Sequence, residues 1–520
     1  MKLPLRAAGC LLLSGCLLLS GCGGRPAASG SAPLPTATPQ PAGDQAAGGL
    51  VLGYSAADGF NPFLVSSTLV RQNAGLLFEK LVEIGPDMAL SYRLASSIDV
   101  VGQQAVIHIR GGCTFADGTP ITAQDAAASL EAARQSPLYG GQLANITEIR
   151  VSDGAITVSL AQPDSLFSYV CDIPVLKAGE TGLSAPTASG RYTYGEGGGL
   201  AVNPRSAFAE QDAPETIALT EIGSYDEMVS GLTVGTLNLY QASELVEFPS
   251  GVASELSYYR TNNMIFLGVN AAAAQSAAQP NPLLATPGGR ALLSQLIDRR
   301  QLAEKGYYSR AYPATGAINS FYPCVLAQQQ ILAEPQLTGA EAAAAIEALG
   351  YTQNPMTGYF ENARGETLGV RLLVYSGNTY KRYAASLLKE QLEALGIAVE
   401  LDAQENFDVF SEKVLSGDFE LYIGEVKLYN NMDMSPFLAG GGASAGIVQS
   451  DALRAAYEAF RLNMSAAGAF EQAFSAEMPF VPLLWRNGTV VHTRSIEGLS
   501  SSISNVFYSL GQLRFAASQP

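Results

Sequence analysis

The sequence predicts an α/β fold built from more than one domain. Three observations lead there: a strand–helix–strand unit over Leu368–Leu401, alternating runs that give way to helical spacing between Ala105 and Leu160, and a length of 520 residues. Roughly 470 of those residues follow an N-terminal leader and tether, a length that ordinarily divides into about two to four domains.

The leader comes first. Lys2 and Arg6 precede an apolar run, Ala7 to Leu19, that closes on Leu19-Ser20-Gly21-Cys22. The run is too short to span a bilayer of about 30 Å, so residues 1–21 read as a signal peptide. The tetrapeptide resembles a bacterial lipobox, in which Cys22 would be acylated and become the first mature residue. Leu13-Ser14-Gly15-Cys16 is a second copy. Cys22 is preferred, because cleavage at Cys16 would leave Leu17 to Leu19 as an exposed apolar stub. Residues 22–49 form a tether: Gly23 to Gly49 holds five prolines among small and polar residues and has almost nothing to bury. Random-coil scaling for about 26 residues gives a reach on the order of 30 Å. The expected location is therefore the cell membrane, lipid-anchored on its extracytoplasmic face.

Two of the 30 basic residues lie in the leader and all 47 acidic ones lie beyond it, so the mature charge is 28 − 47 = −19. That acidity argues against nucleic acid and against a basic membrane-binding face. Beyond Cys22 only Cys113, Cys171 and Cys324 remain, without CxxC spacing or a neighbouring His, so neither a metal site nor a cofactor is expected. A Cys113–Cys171 disulfide is open; three buried free thiols is the safer expectation.

Along the chain, Gly49 to Tyr54 alternates as a strand, and Asn73 to Val82 is spaced for a short helix with Leu76, Leu77 and Leu81 on one side. Ala105 to Arg110 alternates and breaks at Gly111-Gly112, and Asp117-Gly118-Thr119-Pro120 is a turn by composition. Thr122 with Asp125 gives a capping-box start to a helix running to Arg134. Ala144 to Leu160 reads as two strands around Ser152-Asp153-Gly154. Leu368 to Tyr375 is a strand. From Tyr380 to Leu395 a helix follows, whose stripe is Tyr380, Tyr383, Ala384, Leu387, Leu388, Gln391, Leu392 and Leu395. Gly396 ends that helix and Ile397 to Leu401 begins a strand expected to lie parallel to the first.

The run Ile109-Arg110-Gly111-Gly112-Cys113-Thr114-Phe115-Ala116-Asp117-Gly118-Thr119-Pro120-Ile121-Thr122-Ala123-Gln124-Asp125-Ala126 resembles a family signature, departing from it at Cys113 and Ala126. Upstream, Asn61-Pro62, Leu77-Phe78-Glu79-Lys80-Leu81 and Leu94-Ala95 fit the same family. Downstream, so do Gly190-Arg191-Tyr192, Asn203-Pro204, Phe266 to Asn270 and Arg290 to Arg299, in the same order. The family is that of the family 5 extracytoplasmic solute-binding proteins, the oligopeptide, dipeptide and nickel binders of ABC importers. The resemblance runs from about Leu50 to Arg514. It implies a two-lobed periplasmic-binding-protein-like α/β fold (type II, cluster C-like) with an extra inserted α+β domain. The expected boundaries are 50–60, 176–262 and 479–520 for a discontinuous first lobe, 61–175 for the insertion and 263–478 for the second lobe.

Open α/β sheets bind ligands at the carboxyl ends of their strands. The segment Leu421 to Leu438 is such an end, an apolar strand running into a polar loop. In peptide-binding relatives the resemblance places a Trp and an amine-binding Asp there. Here Glu425 stands at the Trp place and the Asp place falls on or beside Leu428, so that anchor does not carry over. Glu425 or Asp433 replaces it, or the ligand lacks a free amine, or Lys427 meets a carboxylate; Tyr429 completes the candidates on this loop. A buried carboxylate facing an ammonium would make a strong, directional pair. Trp485, the single tryptophan, and Asn487 are cleft candidates on the returning strand, with core packing equally open for Trp485. Tyr54 and Asp58, after the first strand, are weaker ones. His108 and His492 read as structural, and no catalytic residue is assigned. Neither Gly195–Gly199 nor Gly440–Gly442 has phosphate-loop chemistry.

The expected function is capture of a small peptide or similar solute by hinge closure and delivery to the permease subunits of an ABC importer, by a monomer and without catalysis. The rivals are a non-peptide solute, an anchored sensor or adhesion receptor with the same fold, and, last, a hydrolase, which would need a nucleophile or acid within about 3 Å of a base in the cleft.

Overall fold

The computed structural model describes residues 49–242, 254–326, 336–438 and 440–515; Cys16, Cys22 and the tether lie outside the described residues. Strand β1 (Leu50–Tyr54) forms where its alternation places it. Helix α1 spans Thr68–Leu77, beginning earlier than the expected Asn73 and stopping before Val82. Its end has a tertiary cause. Phe78 turns extended, and the following backbone pairs across to two other segments: Leu81 donates to Ile173, Val175 to Glu79, and Leu94 to Lys80. Ladder bonds thus override the helical spacing of Leu81. The helix packs on strands of the main sheet at residues 50–54, 192–194 and 239–242.

A four-stranded antiparallel sheet follows, with β2 (Ala95–Val101), β3 (Gln104–Ile109), β4 (Ile146–Ser152) and β5 (Ala155–Leu160) in the order β2-β3-β5-β4. Asp153 (φ 52°) and Gly154 (φ 75°) supply the two left-handed residues that a two-residue hairpin needs. Helix α2 (Ala123–Arg134) starts on the capping box: Asp125 N–H donates to Thr122 Oγ1 and Thr122 N–H to Asp125 Oδ2. In the signature turn, Asp117 accepts from the Thr119 amide and hydroxyl and pairs with Lys177 at 2.6 Å, so this motif builds fold.

The remaining strands make one eleven-stranded sheet among the described residues. They are β6 (Tyr192–Tyr194), β7 (Leu200–Val202), β8 (Thr216–Glu221), β9 (Leu239–Ala242), β10 (Ser254–Val269), β11 (Ala311–Pro313), β12 (Gly369–Tyr375), β13 (Ala398–Gln404), β14 (Leu421–Lys427) and β15 (Val481–Thr493), with β1. The order is β13-β12-β14-β10-β15-β9-β1-β8-β7-β6, with β11 on β15. Helix α3 (Thr379–Ala394) joins β12 to β13, which pair in parallel from Gly369–Ala398 to Tyr375–Gln404, and Gly396 at φ 81° ends the helix as expected. The buried stripe is narrower than its spacing suggests: Tyr380, Ala384, Leu388 and Leu392 are buried, whereas Tyr383 faces solvent.

Among the described residues two large apolar cores sit at the two ends of this sheet, with a small third cluster of Ile222, Met228, Leu232, Leu237 and Val491. One gathers β12, β14 and the halves of β10 and β15 at Met264–Val269 and Val481–Trp485; the other gathers β1, α1, the four-stranded sheet and the segment from Ile496 to Leu513. The long strands β10 and β15 pass through both. Their ladder runs from Ser254–Thr493 to Leu267–Val481, with a register shift between Tyr259 and Asn263. The extra residues of β10 at that point form a bulge in the ladder. Cys113, Cys171 and Cys324 are free thiols, the first two buried, and the Cys113–Cys171 disulfide does not form.

Candidate functional site

A cavity of about 120 Å³ opens between residues of the segments 71–80, 138–142, 172–174 and 503–504 on one side and 427–430 on the other. Arg71, from α1, Tyr139 and Asp172 line it on one side, and Lys427, Tyr429 and Asn430, at the carboxyl end of β14, line it on the other. Lys80 and Ser504 complete the first wall. The Lys80 ammonium lies 2.6 Å from Asp172 Oδ1 and donates to the Ser504 carbonyl, and the Ser504 hydroxyl donates to the same Asp172 oxygen at 2.7 Å. Burial pushes the Asp172 carboxyl up against the pull of Lys80, and burial likewise keeps the Tyr139 phenol protonated.

Arg71 differs. Its Nε is buried without a hydrogen-bond partner, and among the described residues no carboxylate pairs with its guanidinium. The opposite wall is anchored on the strand bulge: Leu428 N–H donates to the Asn262 carbonyl, the Asn262 amide to Asn430 Oδ1 at 3.1 Å, and Tyr322 Oη to the Asn430 carbonyl at 2.8 Å. Tyr429 reaches over to the segment after α2, where a Cβ on Gly141 would sit 2.0 Å from its hydroxyl.

Of the residues singled out in the sequence, Lys427 and Tyr429 line this cavity. Glu425 is held elsewhere: its carboxylate lies 3.1 Å from Lys381 and 2.8 Å from Arg486, and although burial works the other way these cations bring its carboxyl below the ordinary value. Asp433 accepts from the Ser435 amide and from Tyr457 Oη at 2.7 Å, which caps the turn into residues 435–438. Neither carboxylate is left for a ligand ammonium in this arrangement. Trp485 is fully buried in one core beside Met264 and Tyr312, which makes it a packing residue rather than a cleft wall. Asn487 donates its amide to the Arg310 carbonyl. Tyr54 stacks on Phe60 at 5.9 Å, and the Asp58 amide is taken by Ser55; none of these four lines the cavity.

Arg71, Lys80, Tyr139, Asp172 and Ser504 were not singled out in the sequence. Lys80 carried a signal, a lone cation inside Leu77-Phe78-Glu79-Lys80-Leu81, which calls for a buried partner. Arg71 carried a weaker one, because placing the helix at Asn73 left it outside any element. His108 is exposed on β3. His492 is buried, with Nε2 2.8 Å from Ser257 Oγ and Nδ1 3.0 Å from the Thr493 carbonyl. A serine does lie within reach of a base there, but between adjacent strands and away from the cavity. Among the described residues no group of three or more His, Cys, Asp or Glu converges to hold a metal ion, and no helix is long and apolar enough to cross a membrane.

The model for bacterial extracellular solute-binding proteins, family 5 middle, matches residues 83–447. Solved structures share the fold across 90% of this chain. A nickel ABC transporter protein from Bacillus halodurans aligns over 99% of its own length at 16% identity and TM-score 0.69. MppA, titled a periplasmic murein tripeptide binding protein, in an unliganded open form, aligns over 98% of its own length, again at 16% identity and TM-score 0.69. CtaP of Listeria monocytogenes, titled an ABC transporter substrate binding protein, aligns over 99% of its own length at 16% identity and TM-score 0.64. No curated protein matches the chain by sequence.

Proposed function

Because the chain belongs to the family 5 bacterial extracellular solute-binding proteins, we propose that it is a lipid-anchored receptor that captures a peptide or peptide-like solute between its lobes and delivers it to an ABC importer. The observation that carries this reading is the cavity itself, walled by α1 and the inserted domain on one side and by the carboxyl end of β14 on the other. Ligands of open α/β sheets bind at such strand ends. Closure would turn on the β10 bulge at residues 260–262 and on Arg486–Gly488 of β15, which faces it. Acylation of Cys22 and the tether to Gly49 would keep the acidic body beside its permease.

The size of the cavity favours a second reading within the same class, a compact non-peptide solute. At about 120 Å³ it falls well under the roughly 300 Å³ at which ordinary small-molecule pockets begin. A peptide requires the lobes to part further.

The test uses the full-length chain in detergent. Mass spectrometry identifies what co-purifies, and thermal shift against a peptide library reports binding, with Trp485 fluorescence as a second readout because its neighbour Arg486 lies at the flexing point. A solute that raises the melting temperature and shifts the emission supports the reading. Silence across both peptide and non-peptide libraries would overturn it.

A further inference from the structure

One buried carboxyl lies outside the cavity and is bonded toward it. Glu471, on the helix Ala467–Glu477, is 3% exposed, and its oxygens accept from the Ala317 amide at 3.0 Å and the Ile318 amide at 2.6 Å. Among the described residues no cation pairs with it. The charged and titratable groups on the elements packed against its helix are turned elsewhere. Arg290 donates to the Glu477 and Met478 carbonyls, Arg461 pairs with Asp164 and Arg454 with Asp451, Tyr457 donates to Asp433, and Glu477 accepts from Ser450. Glu458 is exposed, and burial pushes the Cys324 thiol up to about 11. A carboxylate buried without a cation costs stability, which directs attention to what its two amides hold in place.

They hold a relay. Asn319, the next residue, donates to the Thr261 carbonyl at 3.1 Å and to Asn262 Oδ1 at 2.9 Å, inside the β10 bulge. Asn262 takes the Leu428 amide on its carbonyl and donates to Asn430 Oδ1. Tyr322, whose amide is held by the Asn319 carbonyl, donates its hydroxyl to the Asn430 carbonyl. Leu428 and Asn430 line the cavity. We propose that Glu471 is a positioning residue of the solute site: as a carboxylate it fixes residues 317–319, which hold the β10 bulge and through it the 428–430 wall, so that the wall loosens when the carboxyl takes up a proton. The inference rests on the reading of the cavity as the solute site. Burial pushes the Glu471 carboxyl up to about 7. Above that value both oxygens accept; below it one is a hydroxyl, and one amide loses its charge-assisted bond. The wall is therefore held more firmly on the alkaline side.

Hydrogen–deuterium exchange on the full-length chain in detergent, corrected for the intrinsic pH dependence of amide exchange, tests this without a solute. Protection of the segment holding Leu428 is expected to be about three- to tenfold higher at about pH 8.5 than at about pH 5.5, the worth of one buried hydrogen bond. Glu471→Gln should show the lower protection at both values. Asn319→Ala should do so at Leu428 while Ala317 and Ile318 keep their pH dependence, a separation that a carboxyl serving only local structure would not produce. Asp172, across the cavity and pushed up to about 6, titrates in the same range. A pH difference at Leu428 that survives in Glu471→Gln therefore belongs to another group and overturns the proposal, as does equal protection of the unaltered chain at both values. Calorimetry with trialanine as the probe reads the site itself. Its affinity should be weaker by about the same factor at the lower pH, and Glu471→Gln should remove that difference. Equal affinity of the unaltered chain at both values overturns the link to the site. Trialanine that binds at neither, with the exchange pattern as expected, counts against the peptide reading of the cavity and leaves the relay standing.

Discussion

Asp164 and Arg461 join the segment after β5 to the helix Asp451–Leu462, and the cost of separating them follows from their surroundings. The Asp164 side chain is 0% exposed and that of Arg461 11%, with 2.9 Å between Oδ1 and Nη2. The other carboxylate oxygen accepts from the Asn431 amide at 2.6 Å, and Ser165 adds bonds from its amide and hydroxyl to the Arg461 and Phe460 carbonyls. Burial pushes the Asp164 carboxyl up and Arg461 pulls it back. Asp164→Ala strands a buried guanidinium and the Asn431 amide, a loss that runs to about 3–5 kcal/mol when one partner of a buried pair is removed. Arg461 still donates to the Asn431 carbonyl at 3.0 Å, which places the expected loss near the lower end, about 3 kcal/mol. Arg461→Ala alone leaves a buried carboxylate and should cost a similar amount, while the double variant leaves neither charge unpaired and should cost much less than the sum. Urea unfolding of the four proteins measures the coupling, expected at about 2 kcal/mol or more, and small-angle scattering should show Asp164→Ala as the more open molecule. Effects that add to within about 0.5 kcal/mol would refute the pairing.

Glu471 is buried, its two oxygens accepting from the Ala317 and Ile318 amides, and burial pushes its carboxyl up to about 7 from an ordinary 4.5. A carboxyl raised on folding makes the folded chain bind more protons between those values, so its contribution weakens stability as pH rises from about 4.5 to 7. The total is of order 3 kcal/mol, and Glu471→Gln should flatten that part of the melting-temperature profile. Gly190, in the family's Gly-x-Tyr element, meets the α1 backbone so closely that a Cβ would lie 2.3 Å from the Leu76 carbonyl. Gly190→Ala should therefore cost about 1–3 kcal/mol in urea unfolding, as overpacking against backbone does. Gly141→Ala instead meets only the outer end of Tyr429, so stability should hold within about 0.5 kcal/mol. Its signature should be an altered solute affinity by calorimetry.

Local physics made much of the fold legible. The capping box at Thr122 and Asp125, the hairpin at Asp153-Gly154 and the β12-α3-β13 unit depend on neighbouring residues, and each formed where spacing placed it. The helix α1 was misplaced because its end is set by backbone pairs to Ile173, Val175 and Leu94, a hundred residues away for two of them on the order of chain distance. The site divides along the same line. Lys427 and Tyr429 come to line the cavity because they sit at and just past a strand end, a local feature. Glu425 failed because its partners, Lys381 and Arg486, come from other elements, and nothing in Leu421–Leu438 announces them. Arg71 is the converse case, an ordinary helical cation whose meaning comes from what does not reach it.

The bulge in β10 ties these parts together. Were it only an irregularity, its residues would look to solvent; instead Asn262 is buried and its carbonyl and amide hold Leu428 and Asn430, while its own Oδ1 accepts from Asn319 at 2.9 Å. The point where β10 changes register is therefore bonded to the loop that carries Lys427 and Tyr429 into the cavity. A rotation about that point would carry the loop with it, because Lys427 is paired in register with Asn263 and Asn430 is bonded to Asn262.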